Sequence, residues 1–276
     1  MDAIARILAS ELEGILGLSV KVKNIAGNQS LDGCDYVARI APADGRTLLC
    51  STPANLAGLA ATIGSLPFNP SGDLNAVCGF AHSRLFLVTS SRHPWKTLPE
   101  LAAHARSNPG QISYGAASAY NRLQTEAVAR ANHMPVVESP FDATLVYHKA
   151  LIEGRPHFGF MTEHAVLEYA DKLTRLAQTG ATRSEPFLDV PTFADLSMPH
   201  ILGVDYSLSL RKEVPPTVAQ DLYEAVRRAI SRSAVAREFK ALTLSPMEQG
   251  PEEAALSARS LIAQSKAIAQ KLGILA

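Results

Sequence analysis

Leu85-Phe86-Leu87-Val88-Thr89, then Thr97-Leu98-Pro99-Glu100-Leu101, then Asn108-Pro109-Gly110-Gln111-Ile112-Ser113-Tyr114 is the stretch that decides the fold. Its first run is apolar and β-branched, the pattern of a buried strand. Thr97 and Glu100 stand at the spacing of a capping box, in which the Thr97 oxygen accepts from the backbone and Glu100 reaches back. They open a helix through Leu101, Ala105 and Arg106. Asn108-Pro109-Gly110 stops it, and residues 111–114 form a second strand. Strand, helix and strand joined by short links predict a parallel sheet covered by helices.

The alternation continues outward. Ile4, Ile7, Leu8, Leu12 and Ile15 make the apolar stripe of a helix that ends at Gly17. Val20 and Val22, alternating with Lys21 and Lys23, predict a strand with one dry face. A polar loop over 24–33, a short helix at 34–40 and an Asp44-Gly45 turn lead to a strand at 47–51. Downstream, helices are expected at 120–131 and 145–152 and strands at 157–161 and 174–178. A short helix at 191–196 and a strand at 204–210 follow, with long helices at 217–242 and 251–272. At ~150 residues per domain, 276 residues suggest two domains. No linker separates them, so strands near 87 and 207 are expected to cross between lobes. That assigns 1–88 and 207–276 to one lobe and 89–206 to the other.

Composition narrows the function. Hydrophobic residues are 47% and charged residues 19%, which suits a packed globular chain. Lys+Arg and Asp+Glu are both 26, so the basic face that nucleic-acid binding needs is not indicated. Met1-Asp2-Ala3-Ile4-Ala5-Arg6 reads as the start of an amphipathic helix rather than a secretory signal, so the chain as written carries no export address. No run approaches the ~20 apolar residues of a membrane span. Cys34, Cys50 and Cys78 are too dispersed for a local zinc motif and read as buried thiols. No dinucleotide fingerprint, Walker loop, nucleophile elbow or zinc-protease motif occurs. Glu163, His164 and Glu168 share one helical face, most simply a solvated one. No catalytic residue, metal site or cofactor is expected.

What remains is a set of small, polar loops directly after strands, where open α/β sheets hold ligands. They are 51–55, 114–122 and 140–144. Two of them lead into helices, whose N-termini suit a carboxylate or phosphate; simple capping by Ser, Thr and Asn is the rival reading.

These residues resemble the substrate-binding receptors of tripartite tricarboxylate transporters, the Bug-type periplasmic receptors. The likeness rests on several motifs in family order. They are Asp2-Ala3-Ile4-Ala5-Arg6, Tyr36-Val37-Ala38-Arg39 with Asp44-Gly45-Arg46-Thr47-Leu48-Leu49, Leu66-Pro67-Phe68-Asn69-Pro70, the 93–115 stretch, and Asp189-Val190-Pro191-Thr192. The resemblance implies an α/β, two-lobed, type II periplasmic-binding-protein-like clamshell, each lobe a helix-flanked mixed sheet. It implies a monomeric periplasmic receptor that binds a small organic acid between its lobes. Delivery would be to a membrane permease or a sensor kinase, with no nucleic acid involved.

Carried over residue by residue, Ser51, Thr52 and Asn55 fall on the first-lobe contact loop. Gly115, Ala116, Ser118, Asn121 and Gln124 fall on the second-lobe anion loop, where Ser118-Ala119-Tyr120 departs from the family's small residues. Arg122 adds a cation able to clamp a carboxylate, or else a plain surface charge. Phe141-Asp142-Ala143 stands where the family has Tyr-Lys-Gly, and Met161-Thr162 where Asp-Asn is common. The family's opening strand and Pro-x-x-Gly-Gly loop have no counterpart in the sequence as written, so a first strand is expected to be missing. Two alternatives stay open: an α/β enzyme using Asp142, Glu163 or His164 as acid or base, and a diverged or truncated member that senses or no longer binds.

Overall fold

A computed structural model describes residues 1–141 and 143–274. In chain order its main elements are α1 (Asp2–Leu16), α2 (Leu31–Asp35), β1 (Leu49–Ser51), α3 (Pro53–Thr62), β2 (Leu74–Ser83), β3 (Leu85–Ser90), α4 (Leu98–Ser107) and β4 (Ile112–Ala116). Then come α5 (Ala119–Ala131), β5 (Val136–Pro140), α6 (Thr144–Glu153), β6 (Phe158–Thr162), α7 (Glu163–Glu168) and β7 (Leu173–Gln178). The chain closes with β8 (Val204–Arg211), α8 (Pro216–Ile230), α9 (Ser233–Ala241), β9 (Ser245–Gln249) and α10 (Pro251–Leu272). Contacts divide it into two units. The first is Met1–His82 with Val204–Ala267, and the second is Ser83–Gly203 with the end of α10 from Ile268. The division falls at 82/83 and 203/204, beside the boundaries expected at 88/89 and 206/207, with β3 in the second unit and β8 in the first.

The first unit is built on a sheet of order β1-β8-β2-β9, with β1 antiparallel to β8 and β2 antiparallel to β9. α1 buries Ile4, Leu8, Ala9 and Leu12 and lies against α8 and α9. Gly17 ends it in the left-handed conformation at φ 66°, which glycine adopts without penalty. Cys34, Val37, Ala38, Leu49, Leu56 and Phe68 form a core under β1. The strand read from Val20 and Val22 keeps its alternation of half-buried with exposed residues. It joins no ladder among the described residues. The single helix expected at 217–242 is two, broken at Ser231 and Arg232.

The second unit carries a five-stranded sheet of order β5-β4-β6-β3-β7. β4 is parallel to β5 and β6, while β3 is antiparallel to β6 and β7. The strand–helix–strand unit of the opening stretch therefore lies in a mixed sheet, and its two strands are separated by β6. The capping box is present: Thr97 Oγ1 accepts from the Glu100 N–H, and Glu100 accepts from the Lys96 N–H. In place of the short helix expected at 191–196 there is a turn, and Thr192 bridges to Gln178. Gln178 is fully buried and fully used. It donates to the Phe187 and Val190 carbonyls and accepts from the Ser184 N–H.

Gly115 and Gly159 pair across β4 and β6, and the ring of Tyr147 lies over both. A Cβ at Gly115 would come within 2.7 Å of Tyr147 Cε2, and one at Gly159 within 2.5 Å of the Gly115 carbonyl oxygen. Tyr147 is 1% exposed and donates its hydroxyl to the Phe160 carbonyl at 2.9 Å. This contact docks α6 on the sheet. Gly159→Ala is expected to force backbone apart and to cost about 1–3 kcal/mol, read as a lowered Tm and urea midpoint. An unchanged midpoint would sink this account of the strand pair.

The opposite end of β4 holds a histidine–tryptophan cluster. His157 is buried, and its Nδ1 accepts from the Ser113 N–H at 2.9 Å. His93 stacks on Trp95 at 4.6 Å and lies 5.2 Å from His157. Burial, then the charges of His93 and Arg155, push the His157 imidazole down to about 4. Its folded value is thus below its unfolded one of about 6.5. The unfolded chain binds the extra proton between those values, so stability is present above pH ~6.5 and drains away as pH falls toward 4. Burial lowers His93 and His148 in the same direction. Urea midpoints should therefore fall between pH 7 and pH 4.5, with a shallower slope in His157→Asn. A flat profile, or an identical slope in the variant, would refute this assignment.

Candidate functional site

In the first unit, β1 runs into Thr52, the residue before α3, and Pro53 occupies the first helical position. Ser51, Thr52 and Asn55 are brought together at this strand-to-helix junction, and all three line one cavity of about 840 Å³. Asn55 donates from Nδ2 to the Gln29 carbonyl at 2.7 Å. Gln29 is presented by three consecutive left-handed residues, Asn28, Gln29 and Ser30. That bond commits the amide nitrogen of Asn55. Ser51 is 8% exposed. Both Ser51 Oγ and Asn55 Oδ1 are buried and have no hydrogen-bond partner among the described residues. Orphaned buried polar atoms call for an explanation, and a ligand is one. Chemically the pair offers a hydroxyl that can donate to a carboxylate and an amide oxygen that can accept from a hydroxyl or a water.

In the second unit, β4 ends at Ala116, and Ser118 caps α5 by accepting from the Asn121 N–H at 3.2 Å. α5 is 13 residues long, and its first N–H groups have no intrahelical partner. Gly115 and Ala116 are held in the sheet beneath that turn, where Tyr147 excludes any larger residue at 115. Arg122 approaches Glu138 of β5, Nε to Oε2 2.9 Å, with the two side chains 40% and 30% exposed. The Nε–H is not aligned for a hydrogen bond, so the contact is an ion pair. Its charge is already answered within the unit. The neighbouring Tyr114 hydroxyl donates to Glu126 at 2.5 Å, and burial and that carboxylate push its pKa up.

The other expected contacts divide. Gln124 is 2% exposed and donates to the Tyr120 hydroxyl and the Leu202 carbonyl, which commits it to structure. Met161 is 1% exposed and belongs to the core with Phe86, Val88 and Tyr147, so its side chain is not available to a ligand. Phe141 packs on the same core at 5.5 Å from the Tyr147 ring. Ala143 is exposed and precedes α6, and Thr162 precedes α7 half-buried. Asp142 lies outside the described residues.

The acid–base alternative fares poorly on geometry. Glu163 is buried and accepts a short hydrogen bond from the Ser184 hydroxyl, while His164 is exposed. Among the described residues no group of three His, Cys, Asp or Glu side chains could hold a metal ion. Burial raises the Cys34 and Cys78 thiols to about 12 and Cys50 to about 11, so all three stay protonated at neutral pH. No described helix is long and apolar enough to cross a membrane.

Two features escaped the sequence. Residues from Ser19 to Asn24 line the same cavity as Ser51; their strand-like alternation is legible, but not that they border this cavity. Arg84 holds the loop after β7 through the Thr179 and Thr182 carbonyls, and a lone arginine before a strand gives no signal of that.

Comparison with known proteins bears on this arrangement. The model of the tripartite tricarboxylate transporter family receptors matches residues 4–274. The chain is 29% identical over 258 residues to protein BugT of Bordetella pertussis, covering 91% of this chain and 79% of that protein. It is 26% identical over 283 residues to a UPF0065 protein of Cupriavidus necator, covering 99% and 84%. A solved periplasmic transporter superposes with TM-score 0.90 at 26% identity, covering 99% of this chain and 93% of that one. MatC of Rhodopseudomonas palustris with bound malate superposes with TM-score 0.88 at 21% identity, covering 97% and 94%. An R. palustris protein with adipate also superposes with TM-score 0.88, at 23% identity, covering 99% and 93%.

Proposed function

This chain belongs to the tripartite tricarboxylate transporter receptor family, and from that premise we propose that it captures a small organic carboxylate in the periplasm and delivers it to a membrane permease. The observation that carries the reading is the pair of orphaned buried atoms, Ser51 Oγ at the end of β1 and Asn55 Oδ1 in the first turn of α3. A hydroxyl donating to a carboxylate makes a charge-assisted bond, roughly twice as strong as a neutral one. The malate and adipate bound by two structural relatives support the ligand class. Catalysis has no support from Glu163 and His164, one tied to Ser184 and the other exposed.

Arg122 is left as a structural ion pair in this reading, because Glu138 already neutralises it. The test is a thermal-shift and calorimetric screen of short mono-, di- and hydroxycarboxylates. A true ligand raises Tm in proportion to the logarithm of its concentration. With that ligand, Ser51→Ala should weaken binding about ten- to a hundredfold, and Arg122→Gln less than about threefold. If no carboxylate raises Tm, the reading fails. If Arg122→Gln abolishes binding and Ser51→Ala does not, the carboxylate is held elsewhere than here assigned.

A further inference from the structure

Ser51 and Asn55 are both orphaned, but they require different partners. A serine hydroxyl donates or accepts as its neighbour demands, whereas an amide oxygen only accepts. Asn55 Nδ2 lies 2.7 Å from the Gln29 carbonyl oxygen, and the reversed amide would set two acceptors against each other at that distance. The amide therefore cannot turn over to suit a ligand. Gln29 itself is held at φ 55°, between Asn28 at 45° and Ser30 at 76°, a conformation that residues other than glycine adopt only at a cost. The turn is braced by the Asn28 amide donating to Asp32 at 2.8 Å and by the Ser30 N–H donating to the Gly27 carbonyl at 2.8 Å. Three strained residues thus hold one carbonyl, and that carbonyl sets the sense of one amide.

The outcome is a buried acceptor, unpartnered among the described residues, that only a donor satisfies. Ser51 Oγ lines the same cavity and is free to donate. A plain carboxylate answers Ser51 alone, because its oxygens are acceptors and repel Asn55 Oδ1. We infer that this site selects 2-hydroxycarboxylates, the carboxylate accepting from Ser51 Oγ and the adjacent hydroxyl donating to Asn55 Oδ1. The inference rests on the carboxylate reading and adds Asn55 to it as a specificity-determining residue. A 2-amino acid also carries a donor, but its ammonium needs a counter-charge. The charged side chains lining the cavity are Lys21, Lys23 and Arg46 with Asp2, and Asp2 is already held by Arg6 and Asn24. Water sets how strongly the hydroxyl is read. A site that leaves its hydroxyl partner dry rejects the deoxy analogue by about 10⁴-fold or more. A cavity of about 840 Å³ admits a water that donates to Oδ1 in the hydroxyl's place, so the expected preference is about ten- to a hundredfold.

The test measures Kd by calorimetry for three matched sets of acids. They are propionate, lactate and alanine; succinate, malate and aspartate; and glutarate, 2-hydroxyglutarate and glutamate. Each set is run on the wild type, Ser51→Ala and Asn55→Ala. In the set that binds, the hydroxy acid should bind the wild type about ten- to a hundredfold more tightly than its deoxy analogue, with the amino acid no tighter than the deoxy acid. Asn55→Ala should bring that ratio within about threefold of one, whereas Ser51→Ala should weaken both acids and leave the ratio standing. A general loosening of the fold weakens both acids alike and moves no ratio. Where Asn55→Ala abolishes all binding, the 2-fluoro acid on the wild type decides: it removes only the donor and should bind no better than the deoxy acid. A wild-type ratio near one, a ratio untouched by Asn55→Ala, or a fluoro or amino acid binding as tightly as the hydroxy acid overturns the inference while leaving the carboxylate reading intact. Binding of none of these acids removes both.

Discussion

Gly115 and Gly159 face each other on neighbouring strands, and one tyrosine ring covers both. The second unit depends on that contact. With no Cβ on either strand, Tyr147 can lie flat on the sheet and spend its hydroxyl on the Phe160 carbonyl. The ring fixes how close α6 comes, and α6 in turn sets where Phe141 and Ala143 emerge beside the end of β4. The Ser118 turn leaves the same strand end, so two of the loops singled out by sequence are positioned by one packing event. Interiors this dense have no slack to absorb a methyl group.

Hydrogen-bond accounting then separates residues that can act on a ligand from those that cannot. Gln124, Gln178 and Glu163 look equally polar in sequence, yet each is buried with its bonding capacity taken up by the Leu202 carbonyl, the 184–190 loop or the Ser184 hydroxyl. Breaking such bonds to reach a ligand would leave carbonyls or a carboxylate stranded in a dry interior. Arg122 is similarly answered by Glu138. Ser51 Oγ and Asn55 Oδ1 are the contrast, desolvated in advance and uncommitted. That is the state in which the Ser51 hydroxyl gains most from a carboxylate, while Asn55 Oδ1 gains from a donor such as a ligand hydroxyl or a water.

Sequence reached the helices with clear stripes and caps: α1 from its apolar stripe, α4 from Thr97 and Glu100, α6 from its stop at Gly154. It also placed the polar loop of Ser51, Thr52 and Asn55 directly after a strand, which is where β1 ends. It missed β2, β5 and β9. β2 runs Leu74–Ser83 with a glycine at its middle and a continuous buried run from Val77 to Ala81, so no period of two marks it. Met161 was misplaced because a motif position says nothing of side chain direction; on β6 it turns into the core beside Phe86. Arg122 was ambiguous for the same reason, since its partner Glu138 is supplied by β5, a strand that the sequence does not announce. Local pattern encodes elements, whereas pairing between distant elements decides which side chains stay available.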